Sequence, residues 1–559
     1  MFQTFPPVAG PFFMRQWRRI HFLCTRSRVA IFTLVVLLSV ANSAFAEESK
    51  VTVELGKTIN ILTSTSIGLP ATMFDGDAFM PAAAQFTRLA GATVIRYPGG
   101  GGIADLYHWS SKEMTQIEGS QSPYISPDSN FGNFAKYLDK FGTALIVVNY
   151  GTNISGAAGG DEAEAAAWVA YANGDAGNTL ALPKGKNGED WRTVGYWATL
   201  RSQDPVVEDD GYNFLRISHP KPFGIRLWQI GDQVYNNGYY GSAHTGMPDL
   251  HAPIPVKGMG NRDKNANLGP SFYGSQVAVF ASAMKAVDPT IRIGASLATP
   301  DGQPTDSDWI SKQWTRDWND KVLKAGCSAI DFVVLDWQPV SLAPPDWKAV
   351  NESDMLSSSR AKIGVILNSM LGLYHQDCLR DHMPRIAFST AAIPTWPKLD
   401  HPMFTALWVA DTYPILIETG AENVSWSEMH GTSMLSSDGK SFGSAFMGLE
   451  MLHIVAHNPG DAFVNATSSD PLLAVHATHR RDGVVGLMFV NDNLNSPVTV
   501  TVTIDGGAVG SKGRRLDYGA EQQKSGAPIA QSEITGLGVK FTITVPAYTI
   551  TDILIPPAS

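Results

Sequence analysis

Carboxylates, amides, an arginine and aromatic rings recur in short clusters along this 559-residue chain, each cluster following a run of apolar residues. Phe74-Asp75-Gly76 comes first. Arg96-Tyr97-Pro98-Gly99-Gly100 follows, with Asp105, Tyr107, His108 and Trp109 just beyond. Then come Asn149-Tyr150-Gly151 and Trp228-Gln229-Ile230-Gly231-Asp232-Gln233, the latter trailed by Tyr235. Asp336-Trp337-Gln338, Ser389-Thr390-Ala391-Ala392 and Trp426-Ser427-Glu428-Met429-His430 complete the series. Aromatic rings stack on the C–H faces of a sugar, and carboxylates, amides and guanidinium groups bond its hydroxyls in pairs. The candidate saccharide contacts are therefore Asp75, Arg96, Asp105, His108, Trp109, Asn149, Tyr150, Gln233, Tyr235, Trp337, Thr390, Trp426, Glu428 and His430. Each alone is a weak signal, and a single Trp or Tyr is more often core than ligand contact.

The elements that must position these clusters give them a common address. Apolar runs at 66–73, 92–97, 144–150, 223–231, 291–297, 330–337, 385–391 and 422–428 read as strands, rich in Val and Ile as strands buried on both faces are. Helical patterns at 162–173, 273–287, 360–379, 404–419 and 441–457 lie between them. Eight strands alternating with helices predict an α/β fold, a (β/α)8 TIM barrel, whose chemistry sits at the carboxyl ends of its strands. Seven of the eight predicted ends carry one of the clusters. From 460 onward, alternating strands split by Gly, Asn and Asp turns predict an all-β antiparallel sandwich. The expected domains are a signal peptide at 1–46, a strand at 47–65 joining the sandwich, the barrel at 66–459 and the sandwich at 460–559. Two polar, Gly-containing insertions, 174–222 and 244–268, are expected on the strand-exit face.

Arg96-Tyr97-Pro98-Gly99-Gly100 with Asp105–Trp109, Asn149-Tyr150-Gly151 before the helix at 162–173, and the segment 228–241 together resemble the α-L-arabinofuranosidases of glycoside hydrolase clan A. The resemblance covers about residues 50–555. It implies a barrel enzyme that cleaves arabinofuranosyl links with retention and without a metal; some relatives are named cellulose-binding proteins. The pattern breaks at the reacting centre. Retaining glycosidases need two carboxyl groups, an acid/base and a nucleophile. Where the family has the Glu of W-E-I-G-N-E, this chain has Gln233, preceded by Asp232; where it has the strand-seven nucleophile, this chain has Thr390, with Ala392 at the family's Asn. The family's H-W-Y on strand six reads Asp336-Trp337-Gln338. An amide holds no proton for a glycosidic oxygen, and a Thr hydroxyl without a base is a poor nucleophile, so the usual mechanism is expected to be lost. Three readings follow: a barrel that binds a polysaccharide or oligosaccharide, such as an arabinose-containing one; a glycosidase using relocated carboxylates, Asp232 and Asp336; or a structural envelope protein with a degenerate cleft.

Composition limits the alternatives. Net charge is −10 and no basic cluster follows residue 46, which argues against nucleic acid. Arg15, Arg18, Arg19, Arg26 and Arg28 precede an apolar run of about a dozen residues and then Ala44-Phe45-Ala46. That is the layout of a cleaved export signal, leaving no membrane span and a secreted or periplasmic protein. Cys327 and Cys378 then remain, either bridged or as two buried thiols. Metal and cofactor motifs are absent: there is no HExxH, no CxxC and no phosphate loop, so no cofactor is expected.

Overall fold

Short Val- and Ile-rich runs with both faces covered can satisfy their backbone only by pairing side by side, and here eight of them close on themselves. The computed structural model describes residues 49–558 apart from 101, 118–124, 241–247, 255–261, 263, 301–311, 339–351, 380, 392–401, 431–433 and 437–440. After β1 (Ser49–Ile61), the barrel strands are β2 (Ile67–Pro70), β3 (Val94–Tyr97), β4 (Thr143–Val148), β5 (Leu227–Ile230), β6 (Arg292–Ser296), β7 (Phe332–Trp337), β8 (Arg385–Ala391) and β9 (Asn423–Ser425). Each pairs in parallel with the next, and β9 pairs with β2 through Val424–Ile67 and Ser425–Gly68 to close the ring. The expected signal segment lies outside the described residues, and no described helix is long and apolar enough to cross a membrane.

The helices of the barrel region are α1 (Pro81–Leu89), α2 (Phe131–Phe141), α3 (Glu162–Asn173), α4 (Val194–Ser202), α5 (Pro270–Val287), α6 (Lys312–Gly326), α7 (Glu352–Leu356), α8 (Ser358–Asp377), α9 (Pro402–Glu418) and α10 (Ser444–Val455). Of these, α1, α2, α4, α6 and α7 carry no sequence expectation above. A signal for α2 was present: Phe131, Phe134, Ala135 and Leu138 are buried at helical spacing, and Asn130 caps the helix by accepting the Asn133 N–H at 3.0 Å.

The 174–222 insertion corrects an expectation. It connects a helix to the next strand and so starts on the amino-terminal face of the barrel, opposite to the strand exits. There the buried Arg201 holds the carbonyls of Tyr171, Ala172 and Gly174. Its 184–190 turn climbs to the loop after β4, where Lys186 Nζ donates to the Gly160 carbonyl at 2.6 Å. The insertion is also less polar than it reads, because α4 lays Trp197 against Trp109 with ring centroids 5.0 Å apart.

Beyond the barrel run β10 (Ala462–Ser468), β11 (Leu473–His479), β12 (Val485–Asn491), β13 (Val498–Asp505), β14 (Lys512–Gly519), β15 (Ala530–Thr535), β16 (Lys540–Val545) and β17 (Thr549–Ile555). They form one nine-stranded sheet in the order β15-β14-β17-β12-β11-β10-β1-β13-β16. Val500, Val502 and Ile504 of β13 point into its core with Val51 and Val53 of β1, while the intervening threonines point out. The β1–β13 pair is parallel, the one departure from an antiparallel sheet, because β1 enters from before the barrel.

One ion network joins barrel to sheet. His476 of β11 lies between Asp411 (3.1 Å) and Glu418 (3.0 Å) of α9, and Arg360 of α8 bridges Asp411 and Asp492. Burial pulls the imidazole down, but Glu418 and Asp411 outweigh it and lift its pKa to about 9. Because that lies above the ordinary value near 6.5, the contribution is complete below pH 6.5 and is lost as pH rises through about 9. Burial and the Asp411 charge raise Asp492 to about 7, so this carboxyl also favours the lower pH range. Urea unfolding at a series of pH values is expected to show stability falling by up to about 3 kcal/mol across the His476 window. His476→Gln should flatten that slope; an unchanged slope in the variant would exclude the network as its source.

Candidate functional site

The turn after β5 carries the centre of the site. Arg96, at the end of β3, pairs with Asp232 at 2.5 Å, with 3% and 2% of the two side chains exposed. Gln229 accepts from Arg96 Nη2 at 3.2 Å and donates to Asp232 Oδ1 at 2.8 Å, so the pair is hydrogen-bonded from within the barrel. The Asp232 N–H donates to Asp105 Oδ2 at 3.1 Å, and Asp105 Oδ1 accepts the N–H groups of Tyr150 (2.9 Å) and Gly151 (3.1 Å). Burial lifts Asp105 to about 8 against the pull of those donors. The exits of β3, β4 and β5 are thereby tied into one rigid unit. A Cβ at Gly100 would run into both Arg96 Nη1 and Asp232 Oδ2, which is why the turn after β3 needs glycine there.

Gln233 follows in the left-handed region, φ 48° and ψ 34°, a conformation a non-glycine residue holds only when its surroundings impose it. Its Nε2 donates to Asp336 Oδ2 at 2.5 Å. Ser389 donates to Asp336 Oδ1, and the Tyr235 hydroxyl lies 3.4 Å from Oδ2. Burial raises the Asp336 pKa, helped by the Asp232 charge and opposed by Arg96 and the Ser389 and Gln233 bonds. Thr390 stands on β8 in register with Asp336, after an irregularity between Phe388 and Thr390. Ala392 lies outside the described residues.

A cavity of about 580 Å³ opens at this end of the barrel. Of the sequence candidates it is lined by Asp75, Arg96, Asp232, Gln233, Glu428 and His430. His430 Nδ1 is 2.6 Å from Asp75 Oδ2, which joins the exits of β9 and β2. Burial raises the pKa of Glu428. Asp336 and Tyr235 stand directly behind Gln233.

Other candidates are placed elsewhere. Trp109 is fully buried, stacked on Trp168 at 5.7 Å, and Trp337 is fully buried against Trp408 at 5.5 Å. Trp426 is 1% exposed and packs edge-on to Trp408. His108 is held between Glu164 at 3.0 Å and Thr115 at 2.8 Å. Tyr150 packs on Tyr273 and His251, and Asn149 bonds the Tyr107 carbonyl and Thr152. None of these six lines the cavity, and Asp105 holds the turns after β4 and β5 in position. The large apolar surfaces of the three tryptophans and Tyr150 gain more from the core and from the helices around the barrel than from an open mouth, while His108 and Asn149 are taken up by hydrogen bonds. Phe74, Asp77 and Ser389 line the cavity and were not among the candidates, although Phe74 belongs to the cluster after β2, Asp77 directly follows that cluster and Ser389 adjoins Thr390. Among the described residues no three His, Cys, Asp or Glu side chains converge as a metal site.

The architecture and its site define a class: a closed parallel barrel with a mouth cavity, followed by a β-sheet domain. No family model matches the sequence, and no curated protein matches it. Solved structures do. The α-L-arabinofuranosidase of Thermotoga maritima, solved with arabinose, superposes at a TM-score of 0.64 with 16% identity, covering 91% of this chain and 99% of its own. A family 51 α-L-arabinofuranosidase from Thermotoga petrophila gives 0.63 at 16% identity, covering 91% and 100%. A family 44 endoglucanase from Clostridium thermocellum gives 0.57 at 15% identity, again covering 91% and 100%. The resemblance carried by the strand-end motifs is thus a shared fold, barrel and sandwich alike.

Proposed function

We propose that this protein is an exported, arabinofuranosidase-like binder of polysaccharide or oligosaccharide that has lost the two-carboxylate retaining mechanism. The observation that carries the reading is Gln233. It stands at the exit of β5 in the mouth cavity with its amide bonded to Asp336, and a neutral hydrogen-bonding group there supports a cleft that binds a saccharide rather than protonating it. An open cavity of this volume also speaks against a merely structural role with a degenerate cleft. The solved proteins of this fold are described as acting on saccharides, which supports the ligand class. Export is supported by the Arg-rich and apolar amino-terminal segment and by the bridge between Cys327 and Cys378.

A second reading, hydrolysis by relocated carboxylates, has Asp336 in its favour, since a carboxyl raised by burial suits a general acid. Its proposed partner, Asp232, is engaged by Arg96 and Gln229. Isothermal titration with arabino- and gluco-oligosaccharides is expected to show binding, while aryl arabinofuranosides and aryl glucosides stay intact. Turnover that disappears in Asp336→Asn would establish the second reading. No heat of binding across the oligosaccharide panel would end the first.

A further inference from the structure

The charges around the mouth cavity do not cancel. Among the described residues four carboxyl groups line it, Asp75, Asp77, Asp232 and Glu428, against two groups able to carry positive charge, Arg96 and His430. Arg96 is engaged by Asp232 and His430 by Asp75. Asp77 and Glu428 are left without a side-chain hydrogen bond or ion pair among the described residues. They follow β2 and β9, which are paired neighbours, so both rise from adjacent exits of the barrel. Phe74, 49% exposed, offers a ring beside them, and Gln233 and Ser389 come from the exits of β5 and β8. Carboxylates partly withdrawn from water and facing no cation among the described residues leave that role to the ligand.

We infer that the cavity selects a saccharide bearing a protonated amine, an amino sugar of the deacetylated hexosamine kind, over neutral sugars and uronic acids. The ammonium group sits against Asp77 and Glu428, a ring face lies on Phe74, and hydroxyls meet Gln233 and Ser389. This deepens the carbohydrate-binding reading and rests on it.

The test is isothermal titration of the full chain with β-1,4-linked glucosamine tetraose, its fully N-acetylated counterpart, cellotetraose and tetragalacturonate, at a pH where the amine is charged. The glucosamine tetraose is expected to bind tighter than either neutral tetraose by on the order of tenfold, with tetragalacturonate weakest. Raising the salt should narrow the gap, as screening requires. Glu428→Gln and Asp77→Asn are each expected to shrink the preference, whereas Glu533→Gln, on an exposed strand of the sheet domain, should not. That contrast separates a built site from general attraction to an acidic protein, and the wild-type salt dependence serves if a cavity variant folds poorly. Neutral tetraoses binding as tightly as the amino sugar would overturn the charge selectivity and leave carbohydrate binding standing. An equal loss in Glu533→Gln would overturn it too. Silence from all four ligands would remove the carbohydrate reading itself.

Discussion

Asp232→Ala is expected to lower folding stability by about 3–5 kcal/mol, the cost of stranding a buried arginine without its counter-ion. Arg96 is 2% exposed and, among the described residues, its other side-chain partner is the neutral amide of Gln229, so no second carboxylate bonds it in place of Asp232. The same substitution should abolish binding in the cavity, because Asp232 anchors the turn between Gly231 and Gln233, both in the left-handed region, that presents the Gln233 amide. Removing both charges together with residues of similar volume, as in Arg96→Met with Asp232→Leu, should cost less than the single change, since no unpaired charge then remains. Urea titrations of the three proteins measure this. A loss of less than about 1 kcal/mol for Asp232→Ala would mean that the pair is solvated in a way its burial denies.

Reducing or deleting the bridge between Cys327 and Cys378 is expected to cost about 4 kcal/mol, from the entropy returned to an unfolded chain closed over 51 residues. The two Cα atoms are 5.6 Å apart and join the turn after α6 to the residue that ends α8. Those two helices flank β7, the strand that delivers Asp336 to the mouth. A Cys327→Ser, Cys378→Ser variant should therefore unfold at lower urea than the oxidised protein, with the wild type under reductant matching it. Equal midpoints for all three would show that the bridge constrains nothing.

The barrel itself was legible because its signal is repeated. Eight buried runs with helices between them leave few other ways to satisfy so much parallel backbone, and the Val498–Asp505 alternation identified the sheet domain in the same way. The helices without a sequence expectation are short or mixed in composition. In α6, for example, Trp318, Val322 and Leu323 are buried within a segment otherwise dense in Lys, Asp and Asn. The ends of the strands were legible as places, since the carboxyl end of a barrel strand is where loops converge.

What the sequence determined by itself was the order of the elements and the end of the barrel at which the polar and aromatic clusters gather. What only the tertiary structure decided was which residues of each strand-end cluster turn toward the cavity and which turn away. Trp109, Trp337 and Trp426 are neighbours in sequence of Asp105, Asp336 and Glu428, yet the rings close against Trp168 and Trp408 while Glu428 lines the cavity and Asp336 stands just behind Gln233. Residue type states what a side chain can bond. Its direction depends on strand twist, on the helix packed outside and on partners more than a hundred residues away, as Asp232 is from Arg96.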